Sequence, residues 1–232
     1  MEQHEFYILE KLHLPNLPGL NPMQSLVVEY TWLVMAVLIV MILVVVKNLK
    51  TVPGGFQNVI ESLTLFVENY LTDIIGPKGL AYFPLVVTVM LFVLFGSYLG
   101  LIPGMLSPTG YIGTTAAMAL IVFVFYEYVG ISKGGLKYLK HFLGPVPAMA
   151  PFMLPMEIIS ELARPFSLSV RLFANIFGGE KIIALLFGIF AGGLPVVWML
   201  WDSIITIPIQ GFIFSLLTMV YLAGAVASEE GH

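Results

Sequence analysis

The chain has 232 residues, of which 59% are hydrophobic and only 10% charged, and its formal net charge is −4. Soluble domains carry about 25% charged residues, so this chain has too little charge to cover a water-exposed surface. The absence of cysteine excludes disulfide frameworks and thiolate metal sites, and the scarcity of basic residues argues against nucleic-acid binding. The composition therefore indicates an integral membrane protein, for which we expect no metal and no cofactor.

The N-terminal half begins with a polar, slightly acidic tail over residues 1–25, which lacks the basic start of a signal peptide. A single membrane domain is predicted over 26–232. Its first apolar run, 26–46, matches one crossing of a bilayer core about 30 Å thick. Residues 55–75 instead place apolar side chains at helical spacing, with polar ones elsewhere on the wheel. This pattern predicts either an amphipathic helix lying in the membrane interface or an ordinary packed helix.

Two further apolar runs, 80–102 and 111–131, predict the second and third crossings, and we expect all three to stand roughly upright. Tyr126 and Tyr128, near the inner end of the third, are interpreted as interfacial aromatics. Most of the lysines cluster on one side of these crossings, at positions 47, 50, 78, 133, 137 and 140. The positive-inside rule makes that side cytoplasmic, so the N-terminus lies outside and the C-terminus inside. A bacterial inner membrane is the expected location.

The last third of the chain predicts two helices too long to stand upright. Residues 151–190 and 196–227 would measure about 60 and 48 Å at 1.5 Å per residue. They are therefore either broken or strongly oblique, and we favour an oblique hairpin that turns at Gly192, Gly193 and Pro195. The predicted fold class is an all-α integral membrane protein with three roughly upright transmembrane helices, one interfacial amphipathic helix and a long, strongly tilted helical hairpin.

Ionisable groups inside hydrocarbon are costly, so they indicate where function resides. On the first hairpin helix Glu157, Arg164 and Arg171 are spaced by seven and return to nearly the same face. Polar residues three or four positions away widen this face into a stripe: Ser160, Glu161, Ser167 and Asn175. Arg171 has no acid within one helical turn, so it needs a partner on another helix or another subunit. The alternative is a snorkelling side chain or a buried ion pair with Asp202.

The second hairpin helix carries a polar face of its own, because Asp202, Thr206 and Gln210 recur every four residues. Antiparallel packing around the turn brings this face towards Asn175 and Glu180. The glycine pair that precedes Glu180 permits the two helices to approach closely.

Two stretches, SLSVRLFANIFGGE at 167–180 and IPIQGFIFSLLTMVYLAGA at 207–225, resemble subunit a of the rotary F-type ATP synthase. The resemblance extends over most of the chain. It includes TVPGGFQNVIE at the start of the amphipathic helix and GLIPG at the end of the second crossing.

The resemblance implies a non-catalytic, proton-translocating stator subunit with two half-channels that end at different sites of a rotor ring. The implied partners are the ring of c subunits, the b-subunit peripheral stalk and the bilayer. Arg171 matches the family's essential arginine, whose charge separates the half-channels and persists because arginine stays protonated. The outer half-channel is matched by Glu180, Asn175 and Gln210, and the inner one by Glu157, with Ser160 and Ser167 beside it.

The sequence departs from the family at the outer half-channel. Many relatives carry His or Glu seven residues before the glutamine, where this chain has Ser203. We expect the adjacent Asp202 to substitute for that group. Both are included among the predicted proton-translocation residues. Tyr111 and Gly113 occupy places that often hold Asp and Asn.

Two other hypotheses stay open at this point. A secondary transporter would use Arg171 to bind an anionic solute, although such proteins usually consist of two related halves with broken helices. A purely structural membrane anchor would tolerate apolar replacements of its buried charges.

Overall fold

The computed structural model describes residues 19, 21–49, 54–102, 104–141, 150–189 and 193–230. All regular elements in these ranges are helical: α1 Pro22–Lys47, α2 Gly55–Ile75, a 3₁₀ segment Pro77–Tyr82, α3 Phe83–Leu99, a 3₁₀ turn Pro108–Gly110, α4 Ile112–His141, α5 Ala150–Ile189, α6 Gly193–Trp201, a π-helical segment Asp202–Thr206 and α7 Ile207–Glu230. Most of the predicted tail lies outside the described residues.

Within the described residues, five helical stretches are long and apolar enough to cross a membrane: Pro22–Lys47, Pro77–Leu99, Ile112–Lys133, Phe152–Ile189 and Pro195–Val226. The prediction of an all-helical membrane fold is therefore confirmed. How each helix inclines to the bilayer stays a prediction.

The long final helices are continuous rather than broken. α5 runs through 40 residues despite Pro155 and Pro165, because neighbouring helices can compensate for the hydrogen bonds that proline removes. At 1.5 Å per residue it measures about 60 Å, twice the thickness of a bilayer core. The predicted turn was wrong at two positions, since Gly193 and Pro195 already belong to α6. Proline fits the first turn of a helix, where its missing N–H would have no partner. Gly192 lies outside the described residues.

The second arm of the hairpin contains a π-helical segment that the sequence analysis did not predict. It spans Asp202–Thr206 and joins α6 to α7 without a break. Pro208 follows two residues after this segment, and a proline ring clashes with the carbonyl four residues earlier, which here belongs to the segment. Widening the preceding turn relieves that clash, and π segments of this kind recur at functional sites.

α7 lies at the centre of the bundle and packs against α3, α4 and α2, while α5 packs mainly against α4 and α1 flanks α3. The largest side chains of the core come from all of these inner helices, among them Val86, Tyr126, Leu172, Phe214 and Leu222. α3 and α7 are in close contact at Gly211, where an added Cβ would stand 2.8 Å from a methyl of Leu94.

α2 packs against the bundle through one face. Val67 and Leu71 are completely buried there, and Phe66 and Tyr70 contact the ring of Phe212. The opposite face, which includes Asn58 and Asp73, is exposed. The packed-helix alternative thus has direct support, and a location in the membrane interface stays a prediction.

Candidate functional site

The two arms of the hairpin meet at an amide pair. The Asn175 side-chain amide donates a hydrogen bond of 2.6 Å to the Gln210 side-chain carbonyl. Gln210 is only 2% exposed, so its amide is held away from lipid and solvent. The spacing argument had placed these two faces together, and the structure brings them into contact.

A cavity of about 680 Å³ opens between the end of α3, the 104–111 loop, α5 and the π-helical segment. Its polar lining includes Ser97, Ser107, Tyr111, Glu180, Lys181 and Asp202. Two carboxylates therefore share one cavity, on the loop side of the Asn175–Gln210 pair. The sequence analysis had named both acids, and the resemblance had placed Tyr111 at the outer half-channel, whereas Lys181 was not among its candidates.

The Glu180 carboxylate lies against two glycines. An added Cβ at Gly100 would stand 2.9 Å from Glu180 Oε1, and one at Gly110 would stand 3.2 Å from both carboxylate oxygens. Because both distances are shorter than an ordinary contact, larger residues would displace the carboxylate. The position of Glu180 thus depends on backbone approach from α3 and from the loop.

Asp202 is 7% exposed and faces α5 at Gly179. An added Cβ at Gly179 would be 3.4 Å from both Asp202 carboxylate oxygens. Only the second glycine of the predicted pair serves close approach, because an added Cβ at Gly178 would meet nothing within 4 Å.

Ser203 differs from its neighbour. Its hydroxyl donates to the Leu200 carbonyl at 3.0 Å, and its own backbone carbonyl accepts a hydrogen bond of 2.8 Å from the Tyr98 hydroxyl. Ser203 is absent from the cavity lining, whereas Asp202 is present. Of the two candidates at this position, the geometry favours Asp202 as the group that reaches the cavity.

A buried hydroxyl cluster that sequence reasoning missed supports the cavity wall. Thr109 Oγ1 lies 2.9 Å from Ser97 Oγ and 2.8 Å from Ser107 Oγ, and Ser107 donates to the Gly96 carbonyl at 3.0 Å. The cluster attaches the loop that carries Gly110 to α3. The polar residues of the uncharged SPTG segment were the available signal.

Arg171 lies on the exposed side of α5. Within the part of the chain that the structure describes, its guanidinium has no hydrogen bond, ion pair or ring contact. The alternative of a buried ion pair with Asp202 is therefore wrong, because Asp202 faces Gly179 instead. Ser160 and Ser167 are exposed like Arg171, and Glu157 is half-buried. By helical periodicity these residues share its side of α5.

A second charged cluster lies seven residues before Arg171. Arg164 pairs with Glu161 at 2.7 Å, Tyr126 donates to the other Glu161 oxygen at 3.0 Å, and Arg164 lies 5.6 Å from the centre of the Tyr221 ring. The i, i+3 pairing was visible in the sequence. The interpretation of Tyr126 as an interfacial aromatic was wrong, because the side chain is 1% exposed.

Comparison with known proteins identifies the family. The family model described as ATP synthase A chain matches residues 28–223. A relative from Pelobacter propionicus, named ATP synthase subunit a 3, is 42% identical over 230 residues, which cover 99% of both chains. A relative from Syntrophotalea carbinolica, ATP synthase subunit a 2, is 44% identical over 88% of this chain and 86% of its own. One from Syntrophobacter fumaroxidans, ATP synthase subunit a, is 45% identical over 88% and 85%.

These matches cover the long hairpin with its arginine, its amide pair and its cavity acids, together with the preceding transmembrane helices. The chain is a multi-pass membrane protein by the number of its apolar helices. It belongs to the ATP synthase A chain family, to which it is joined by relatives named ATP synthase subunit a.

Proposed function

We propose that this chain is the stator subunit that conducts protons to and from a rotor ring of c subunits and couples their passage to rotation for ATP synthesis. In this role the subunit itself catalyses no covalent step. It provides two paths that end at different ring positions, and it prevents protons from passing directly between them.

The outer path uses the cavity described above. Protons enter near Glu180 and Asp202, which both line it, and reach the Asn175–Gln210 amide pair. From there they neutralise a carboxylate of the ring, which can then rotate through lipid without the cost of burying a charge. Ser203 takes part in this region through its backbone carbonyl, which accepts a hydrogen bond from Tyr98. Its hydroxyl is already bonded to the Leu200 carbonyl.

The inner path begins on the opposite side of Arg171, along the part of α5 that carries Glu157, Ser160 and Ser167. All three lie on the same open side of the helix as the arginine. After nearly a full turn, a protonated ring carboxylate arrives at this side and loses its proton towards Glu157.

Arg171 separates the two paths. Its charge repels a proton that would cross directly, and it attracts a ring carboxylate that has just been deprotonated. Arginine suits this position because its guanidinium keeps its proton even when it is poorly solvated. Each proton that crosses 100 mV releases about 2.3 kcal/mol, so several crossings must be combined for each ATP.

One observation carries the proposal: Arg171 lies on the open side of α5, and no described residue of this chain neutralises it. A cation within an apolar helix needs a counter-charge, and in this account the ring supplies it. The remaining partners are the b-subunit peripheral stalk and the bilayer of a bacterial inner membrane. The N-terminus lies outside and the C-terminus in the cytoplasm.

The test is ATP-driven acidification of inverted membrane vesicles that contain the assembled complex. We compare the wild type with Arg171→Ala and with Lys47→Ala, which removes an exposed cation at the end of α1. The proposal predicts that Arg171→Ala assembles but does not acidify, while Lys47→Ala acidifies normally. Normal acidification by an assembled Arg171→Ala complex would overturn it.

A further inference from the structure

Tyr126, Glu161, Arg164 and Tyr221, which we term the inner cluster, connect three helices. Tyr126 comes from α4, Glu161 and Arg164 from α5, and Tyr221 from α7. Glu161 is 7% exposed and Tyr126 1% exposed. A carboxylate this deep in an apolar bundle needs compensation for its lost hydration, and the cluster supplies it.

Each carboxylate oxygen of Glu161 has its own partner, one on α5 itself and one on α4. Oε1 pairs with Arg164 at 2.7 Å, and Oε2 accepts the Tyr126 hydrogen bond at 3.0 Å. The Arg164 guanidinium also lies 5.6 Å from the Tyr221 ring centre, a cation–π distance. The charge of Arg164 is thus satisfied within this chain, whereas Arg171 has no partner among the residues that the structure describes.

Helical geometry connects the inner cluster to Arg171. Residues seven apart differ by only about 20° around a helix, so Arg164 and Arg171 would project from nearly the same face. The buried side of α5 carries Glu161, Leu168, Leu172 and Ile176. A rotation of α5 about its axis that withdrew Glu161 from this side would therefore also change the direction in which Arg171 projects.

We propose that the inner cluster positions Arg171. It fixes the rotation of α5 about its own axis relative to α4 and α7, and it keeps the Arg164 charge away from the exposed side of α5. Arg171 then acts as the cation of that exposed side. Glu161, Arg164, Tyr126 and Tyr221 are positioning residues and exchange no protons with the ring. The inference rests on the role of Arg171 given under the proposed function.

The experiment uses the assembled complex in inverted vesicles and the double variant Glu161→Leu plus Arg164→Leu. Replacement of both members of a buried ion pair by apolar residues is often tolerated, whereas loss of one member is not. Arg164→Lys, which keeps the charge, is the conservative control. Rotation of α5 is reported separately by the yield of oxidative disulfide formation in a background with Asn175→Cys and Gln210→Cys, two positions whose native side chains are in contact. Acidification is measured without these two cysteines, because both residues lie on the proposed outer path. The subunit has no cysteine of its own.

We expect the double leucine variant to assemble, to lose most of its ATP-driven acidification and to form less of the 175–210 disulfide. Arg164→Lys should retain the wild-type acidification and the wild-type disulfide yield. Wild-type acidification together with an unchanged disulfide yield in the double variant would overturn the inference. If the double variant does not assemble, Tyr126→Phe decides, because it removes only the link to α4. A lower disulfide yield then supports the inference, and an unchanged yield overturns it.

The two proposals fail separately. Normal acidification by Arg171→Ala contradicts the proposed function whatever the disulfide yield. If Arg171→Ala abolishes acidification while the double leucine variant behaves as wild type in both measurements, only the positioning role is contradicted.

Discussion

Arg164 and Arg171 lie two turns apart on one helix, and their surroundings are opposite. Arg164 is half-buried and paired with Glu161, while Arg171 is exposed and has no partner among the described residues. The first charge is compensated within the fold, whereas under the proposed function the rotor ring compensates the second. Residue type and helix face are nearly the same for the two arginines, so neither distinguishes their roles. Their contacts with neighbouring side chains do.

The largest expected effect is on stability and comes from the paired arginine. Arg164→Ala leaves the Glu161 carboxylate buried without its cation, which costs about 3–5 kcal/mol. We expect little of this variant in the assembled complex, as measured by immunoblotting of purified membranes. Arg171→Ala removes no contact with any described residue of the chain, so its cost should stay within about 0.5 kcal/mol, and its assembly should be normal. Equal losses of assembled complex for Arg164→Ala and Arg171→Ala would contradict the difference between the two arginines.

A smaller effect is expected when only the tyrosine link is removed. Tyr126→Phe eliminates a hydrogen bond to a carboxylate, a bond worth about 1.5–3 kcal/mol. The thermal unfolding temperature of the purified complex should fall less than for Arg164→Ala. Tyr128→Phe is the matched control, because Tyr128 is 67% exposed. A Tyr128→Phe effect as large as that of Tyr126→Phe would argue against the buried bond.

At the outer cavity the effect should appear in transport rather than in assembly. Gly110→Ala places a methyl group 3.2 Å from the Glu180 carboxylate oxygens, whereas the same change at Gly113 meets nothing within 4 Å. We expect Gly110→Ala to slow ATP-driven acidification and Gly113→Ala to leave it unchanged. Equal rates would mean that Glu180 adapts without consequence or does not lie on the path.

The smallest effect is expected at Ser203. Its hydroxyl is bonded to the Leu200 carbonyl, so Ser203→Ala should leave acidification nearly at the wild-type rate. Asp202→Asn, which alters the neighbouring cavity acid, should reduce it clearly. A defect in Ser203→Ala that matches the defect in Asp202→Asn would reassign the proton path to the serine.

Periodicity was sufficient to predict the helices and the contact between Asn175 and Gln210, because residue spacing determines which side chains share a helix face, and tertiary packing does not change that. It was not sufficient for the tertiary partners of single charges. Tyr126 looked interfacial by its distance from the helix end, yet it is buried against Glu161. Whether Tyr126 faces Glu161 or the membrane interface depends on how α4 packs against α5.

The outer cavity shows the same limit. Glu180 and Asp202 could be named as intramembrane acids, but Gly100, Gly110 and the hydroxyl cluster come from α3 and its loop, far from the hairpin in sequence. The π-helical segment was also missed, although Pro208 was visible. A proline indicates that a helix must adjust and does not say how.

The most direct test of the central claim is the passive proton flux across vesicles that contain assembled complex with ATP hydrolysis blocked. An imposed membrane potential drives the flux in the wild type and in Arg171→Ala. If the charge of Arg171 separates two proton paths, the variant should leak protons faster than the wild type while the rotor stands still. A flux equal to that of the wild type would show that the paths are kept apart without this arginine.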